Sequence, residues 1–441
     1  MKRYHDLPTL AMKCTLSLLA LGLVAFGQAG PVEAAAQIPA APQSGAIALT
    51  GGTVHTVSGA VLQNATVVFV DGRITVVGAN VEIPAGARRV DVSGQHVYPG
   101  LMDGWSQMGL YEIGAVDVTV DVNELGPINP NVRAEVAVNP ESRHIGTTRS
   151  NGVLVAVSSP SGGLISGLSA AMMLDGWTWQ DMTLQAPVGL LVNWPNPGSD
   201  EAQYARSIGE LKAVFREARA YHVAHTAAQA DGRALQRTDS RWEAMIPVLD
   251  GDVPVVVQAN DVRQLQDAIT WSEEEGVRLV LLGGRDAAYV AHHLVEKEIP
   301  VLLTSVQSAP GRDWEPYDGA YSLPARLQEL GVDYAIVGGS SAPYANRLPW
   351  EAGSAMAFGL SEADAIRAVT LAPARILGLG DRLGSLEVGK DATLIVTTGN
   401  PLEYSTSIEA AYIQGRELDL DDAHKQFFRK YMEHVRQKQG G

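Results

Sequence analysis

Apolar and polar positions alternate with two different periods along this chain. From residue 46 to 90 the apolar residues mostly recur every second position, in IALTGGTVHTV and then ATVVFVDGRITVVG. A period of two marks half-buried strands, and Asp71-Gly72 between two β-rich runs is a strong hairpin signal. The middle of the chain, about 97–375, changes character. Continuous apolar runs stand at 97–103, 152–159, 188–194, 253–259, 277–284, 299–305 and 334–339, with a weaker one at 164–174. Between several of them lie stretches of helical periodicity, at 201–219, 262–275, 287–298 and 352–358. Strands buried on both faces and alternating with helices imply a parallel sheet covered on both sides. Eight of them fit a (β/α)8 barrel better than an open sheet.

The period of two returns at GSLEVGKDATLIVTTGNP (384–401) and IEAAYIQGREL (408–418). A β unit split between the two ends of a barrel is expected to pair into one small sandwich beside it. The expected order is therefore a signal peptide (1–36), a mobile leader (37–45), an N-terminal sandwich segment (46–96), the barrel (97–382), a C-terminal sandwich segment (383–420) and a final helix (421–441). In that last stretch Phe427, Phe428, Tyr431 and Val435 fall at helical spacing, which predicts a docked helix with a solvated basic face.

The signal peptide is read from Lys2, Arg3 and Lys13 before the apolar run 16–26, with small residues at Ala34–Ala36. The run is too short to span a membrane. The expected location is periplasmic or secreted, with no membrane association after cleavage. Cys14 is the only cysteine of the 441 residues. Its loss with the leader would leave no disulfide, thiolate nucleophile or cysteine–metal site. The full chain carries a formal charge of −16; residues 1–36 hold three basic and two acidic residues, so the processed chain is at −17. That balance disfavours nucleic acid and anionic membranes as partners.

The segment VYPGLMDGWSQMGLY (97–111) resembles the metal-dependent amidohydrolase superfamily, whose matching stretch reads P-G-[LFI]-[IM]-D-x-H-x-H. Pro99, Gly100, Leu101, Met102 and Asp103 follow that pattern in order. The chain is similar to the imidazolonepropionase-like branch in three further places: TGGTVHTVSGAVLQNATVVFVDGRITVVG, LPWEAGSAMAFGLSEADAIRAVTLAPARILGL and GSLEVGKDATLIV. The resemblance implies a barrel plus sandwich, and a zinc or other divalent ion held at the strand ends. Such an ion acidifies a bound water and polarises the scissile centre.

The positions that would hold it are occupied by other residues. Trp105 and Gln107 stand where the resemblance places two histidines, and Gln258 stands at the strand-five histidine. Gly283 takes the strand-six position, and Ser340, followed by Ser341, takes that of the strand-eight aspartate. No carboxylatable lysine follows strand four, where the chain reads VNWPNP. Indole offers no lone pair to a metal, and amide or hydroxyl oxygen binds zinc far more weakly than imidazole or carboxylate. No metal or other cofactor is therefore expected, and no catalytic residue is assigned.

Other histidines offer little. His222 and His225 are spaced i, i+3 but lack a third ligand, His144 stands alone, and adjacent His292 and His293 should face different sides of their helix. What the barrel mouth keeps is Trp105, Gln107, Asn193, Trp194, Gln258, Asn260, Gly283, Ser340 and Ser341. These either fill the space of the metal or hold a small molecule by hydrogen bonds and stacking. Three functions follow as expectations. The first is a non-hydrolytic partner or subunit, in a homo-oligomer or with an intact amidohydrolase homologue. The second is a metal-free small-molecule binder. The third is a hydrolase of non-peptide carbon–nitrogen bonds working through an unconventional site.

Overall fold

The run around Pro99 is divided between two sheets. In the computed structural model, which describes residues 37–198, 200–232, 237–339 and 341–439, the chain forms sixteen strands. The expected signal peptide, Cys14 and Ser340 lie outside the described residues. Strands β1 (Ile47–His55), β2 (Val61–Val70), β3 (Arg73–Gly78), β4 (Arg88–Asp91) and β5 (His96–Pro99) belong to a terminal sheet. The next strand, β6 (Leu101–Ser106), opens the barrel. Gly100 makes the handover: its N–H donates to Thr393, just before a strand of the terminal sheet, while Leu101 donates to Gly152, just before a barrel strand. A Cβ at Gly100 would stand 2.7 Å from the Leu154 side chain, so only glycine passes there. The single strand expected at 97–103 is thus two strands.

Barrel strands β7 (Val153–Ser158), β8 (Ile165–Met173), β9 (Thr183–Asn193), β10 (Val255–Ala259), β11 (Leu279–Gly283), β12 (Val301–Leu303) and β13 (Tyr334–Ile336) follow in spatial order. All eight apolar runs become strands, but β8 runs antiparallel to both β7 and β9. A pure (β/α)8 pattern is therefore corrected to a mixed, nearly closed eight-stranded barrel. The cause is length. Parallel neighbours need a crossover of a dozen or more residues, and only six (159–164) join β7 to β8.

Period two sorts the barrel side chains. On β10, Val255 and Val257 face the helical shell, whereas Val256 packs inside with Met102, Leu191, Val280 and Leu302. The interior is thus filled by side chains. Helices cover the outside where capping dictates. Helix Val262–Glu275 starts at Asp261, whose carboxylate and Gln264 form a capping box, and stops at left-handed Gly276.

Strands β14 (Leu394–Thr397), β15 (Ile408–Ile413) and β16 (Arg416–Glu417) return to the terminal sheet, where β14 pairs antiparallel with β5. N- and C-terminal segments thus share one sheet and one core, including Leu49, Phe69, Leu394 and Tyr412. Asp391, with 1% of its side chain exposed, ion-pairs with Arg73 and Arg382 at 2.6 and 2.7 Å. Gly384 has φ +85°, and a Cβ there would meet the Leu371 backbone at 2.6 Å, so the return path rests directly on a barrel helix.

Two terminal expectations change. The supposed mobile leader is tied down: Ala40 N–H donates to Asp175, and the Gln43 side chain bridges Phe69 and Gly72. Helix Ala423–Gln439 forms as predicted, yet none of its residues is buried. It is anchored at its start, where the Asp422 carboxylate accepts from the N–H groups of His424 and Lys425.

Candidate functional site at the barrel mouth

Strand β6 carries Asp103 and Trp105 two residues apart, across a register irregularity of that strand. Asp103 is fully buried; its Oδ1 accepts from Trp105 N–H at 3.2 Å and Gly338 N–H at 3.1 Å. Its Oδ2 has no hydrogen-bond partner. Burial pushes the Asp103 carboxyl up to about 7, against the pull of those two backbone donors. The Trp105 indole is 4% exposed and belongs to the interior core with Met102, Leu302 and Val337; its Nε1 has no acceptor. The ring is thus packed inside the barrel. Gln107 is also buried, and its amide donates to Ser161 Oγ at 3.2 Å.

The remaining predicted residues separate into groups. Asn193, Trp194, Gln258 and Asn260 border one cavity of ≈ 330 Å³, with Gln258 exposed to it. Asn193 is held by the 162–166 turn, donating to the carbonyls of Gly162 and Gly163 and to Ser166 Oγ. The Trp194 indole points away into the helical layer, donating to Tyr204 and meeting Trp271 edge-on. It is thus a core residue and not a stacking platform. Gly283 sits against Asn260, whose Oδ1 would lie 2.5 Å from any Cβ added there. Trp105, Gln107 and Ser341 are not among the walls of this cavity. Ser341 instead opens the short 3-10 turn Ala342–Arg347.

Sequence reasoning missed the charged rim. Arg312 reaches from the loop after β12 to Asp286 through both terminal nitrogens (3.0 and 2.8 Å), to Asp261 at 2.9 Å and to Glu315 at 3.2 Å. Hydrogen bonding to Asp286 raises the Arg312 pKa further. Beside it, Arg285 stands 3.7 Å from Asp286 and 3.8 Å from Glu315. Arg285 and Asn260 are shared by the first cavity and a second of ≈ 280 Å³ that includes Tyr289 and Trp314. One signal was present in the sequence. Asp261, Arg285 and Asp286 directly follow the ends of β10 and β11, where barrel function concentrates.

Among the described residues, no three His, Cys, Asp or Glu are grouped to hold a metal. The side chains at the expected ligand positions do not suit a divalent cation: an indole, two amides and a glycine offer neither imidazole nor carboxylate. The other histidines have carboxylate neighbours of their own, His222 with Asp250 at 3.3 Å, His225 with Glu243 at 3.9 Å and His144 with Glu112 at 3.8 Å. His292 and His293 differ from expectation: their rings touch, 3.8 Å between centroids, at the start of a six-residue helix.

Residues 255–419, from β10 through the return into the terminal sheet, match the model of the Amidohydrolase family. That stretch of the chain is thus similar to the amidohydrolase family. Across a longer span the chain is similar to the imidazolonepropionase of Micrococcus luteus, 25% identical over 403 residues, covering 82% of this chain and 92% of that protein. It is also similar to the amidohydrolase tasK of Hapsidospora irregularis, 23% identical over 379 residues. That match takes in 76% of this chain but only 37% of the relative, so the chain spans little more than a third of tasK. A crystal structure of an amidohydrolase from Thermotoga maritima superimposes with a TM-score of 0.76 at 27% identity. It covers 85% of this chain and 99% of that one. The matched residues thus include β10 to β13, whereas Trp105 and Gln107 precede them.

Proposed function

We propose that this amidohydrolase-family protein is not a metal-dependent hydrolase but a retained barrel working as a non-hydrolytic subunit or partner, outside the cytoplasm. The observation that carries the reading is the Trp105 indole, packed into the barrel interior where the resemblance calls for a histidine. A ring seated among Met102, Leu302 and Val337 closes the depth of the mouth, and Gln107 is committed to Ser161. Elemental analysis of purified protein tests this directly, with zinc, iron and manganese expected far below one equivalent. A stoichiometric metal lost on Gln258→Ala, together with hydrolysis of a carbon–nitrogen substrate, would overturn it. Isolation from the native cell is expected to bring down an intact homologue or further copies of this chain. The processed N-terminus is expected near Ala36.

A second reading is favoured by one observation. The two cavities share Asn260 and Arg285, and the Arg285 guanidinium has its nearest carboxylates beyond direct hydrogen-bond reach. A small carboxylate or amide would bind there without a metal. Stabilisation by such compounds in a thermal-shift screen, abolished by Arg285→Ala, supports binding. If no compound acts, only the partner role stands.

A further inference from the structure

Two surfaces of this chain are left open by its own fold, and they are opposite in charge. Helix Ala423–Gln439 carries an unburied apolar stripe: Phe427 is 53% exposed, Phe428 66% and Tyr431 61%, followed by Met432 and Val435. Their spacing keeps all five on one face. The helix holds five Lys/Arg against a single Glu433. With 17 residues it is about 25 Å long, and it is held at its base by Asp422 and by the Arg429–Asp421 ion pair at 2.7 Å, which leaves the apolar stripe uncovered.

The second surface is the groove over the segment after β6. A cavity of ≈ 650 Å³ lies there, with Leu125 and Val136 among its walls beside Asp121, Glu124 and Arg133, the last ion-paired with Glu135 at 2.6 Å and so neutralised. Leu125 is 95% exposed, as is the neighbouring Val118. From Gly104 to Val132 the chain has no Lys or Arg, but contains Glu112, Asp117, Asp121 and Glu124. Large exposed apolar residues grouped with like charges mark an interaction surface and not a solvated loop. Within one copy the helix stripe and the groove both stay open, so neither satisfies the other.

We infer that the C-terminal helix of one copy seats its Phe427–Val435 stripe in the acidic groove of a second copy, so that two chains exchange arms. Charge selects this occupant. The arm is basic and apolar, the groove acidic and apolar, and reciprocal exchange uses both surfaces twice with two-fold symmetry. Area is sufficient as well. Three aromatic side chains of roughly 150–250 Å² each, more than half exposed, bring two arms within range of the roughly 1,600 Å² of a standard interface. The inference is independent of whether the barrel hydrolyses anything.

Sedimentation velocity on the full chain at micromolar concentration tests it, with a dimer expected that weakens as salt rises. Phe428→Glu with Tyr431→Glu should give a monomer of unchanged melting temperature, since both side chains are exposed. Lys430→Glu with Lys438→Glu, or Asp121→Lys with Glu124→Lys, should each weaken the dimer about tenfold or more. Combining the two pairs in one chain should restore it. A wild-type monomer, or a dimer indifferent to both pairs, overturns the proposal. So does a chain that stays monomeric and binds phosphatidylglycerol vesicles through Phe428 and Tyr431, because the helix would then be a membrane arm.

Discussion

The Gly338 N–H donates to Asp103 Oδ1 at 3.1 Å, joining the first barrel strand to the chain just beyond the eighth. The same oxygen accepts from Trp105 N–H, so one carboxyl group fixes both sides of the seam and the Trp105 backbone. The position also explains Gly338, where a Cβ would stand 2.9 Å from Asp103 Oδ2. The seam therefore depends on a buried acid with one unsatisfied oxygen.

That acid should leave a mark on stability against pH. Its folded pKa is raised by burial from the usual carboxylate value to about 7. The folded state then holds the proton more tightly than the unfolded chain between about pH 4 and 7. The Asp103 contribution is full below pH 4 and is lost as pH rises to 7, with at most about 4 kcal/mol at stake. Asp103→Asn keeps an oxygen for both N–H donors and cannot ionise. Its melting temperature should exceed wild type by several degrees at pH 8 and match or fall below it at pH 4. A variant less stable than wild type at both pH values would refute the assignment.

The Trp105 indole makes a prediction of its own. Trp105→Ala would empty an indole-sized space in the interior, costing about 3–5 kcal/mol. Trp105→Phe removes the Nε1–H that has no acceptor and keeps most of the packing, so it should cost about 1 kcal/mol or less. Urea unfolding midpoints of the two variants separate these values. Equal losses would mean that the indole nitrogen has a partner in solution.

Much of this was written in the sequence, for a physical reason. Strands buried on both faces need unbroken apolar runs, so VPVVVQA and VRLVLLGG announce β10 and β11 unaided. Direction is a different matter. The apolar run of β8 would look the same reversed, and only the six-residue connection before it carried the answer. The side of a strand end is equally hidden: Trp194 follows Asn193 at the mouth, yet its ring turns outward to Tyr204. Arg312 could not be seen at all. Its partners Asp286 and Asp261 lie 26 and 51 residues away in sequence.

Arg312 should be the residue on which the rim depends. Asp286 has 4% of its side chain exposed and receives both Arg312 nitrogens as well as the Val262 N–H. Removing the guanidinium in Arg312→Ala strands a buried carboxylate, with Arg285 the nearest cation at 3.7 Å. A fully buried pair broken in this way costs about 3–5 kcal/mol. Arg312 is 22% exposed, so about 2 kcal/mol is expected after screening. Arg312→Lys should recover little, because an ammonium cannot serve Asp286 and Asp261 through separate nitrogens. Thermal unfolding of both variants checks this; a lysine variant as stable as wild type would show that charge alone suffices.

The terminal sheet contains the opposite kind of titration. His55 on β1 hydrogen-bonds His96 on β5, Nε2 to Nδ1 at 3.0 Å, and stacks on Tyr98 with ring centroids 3.9 Å apart. Burial, followed by the neighbouring His96 charge, lowers the His55 pKa to about 4. Between pH 4 and 6.5 the unfolded chain therefore binds more protons than the folded one at this site. The His55 contribution is full above pH 6.5 and is lost as pH falls to 4. Asp103 acts in the reverse sense over the same window, so the wild-type profile should be flattened. In the Asp103→Asn background the His55 slope should emerge, with melting temperature falling steadily from about pH 6.5 to 4. Adding His55→Gln should level it again, and a slope that survives that second substitution would place the titration elsewhere.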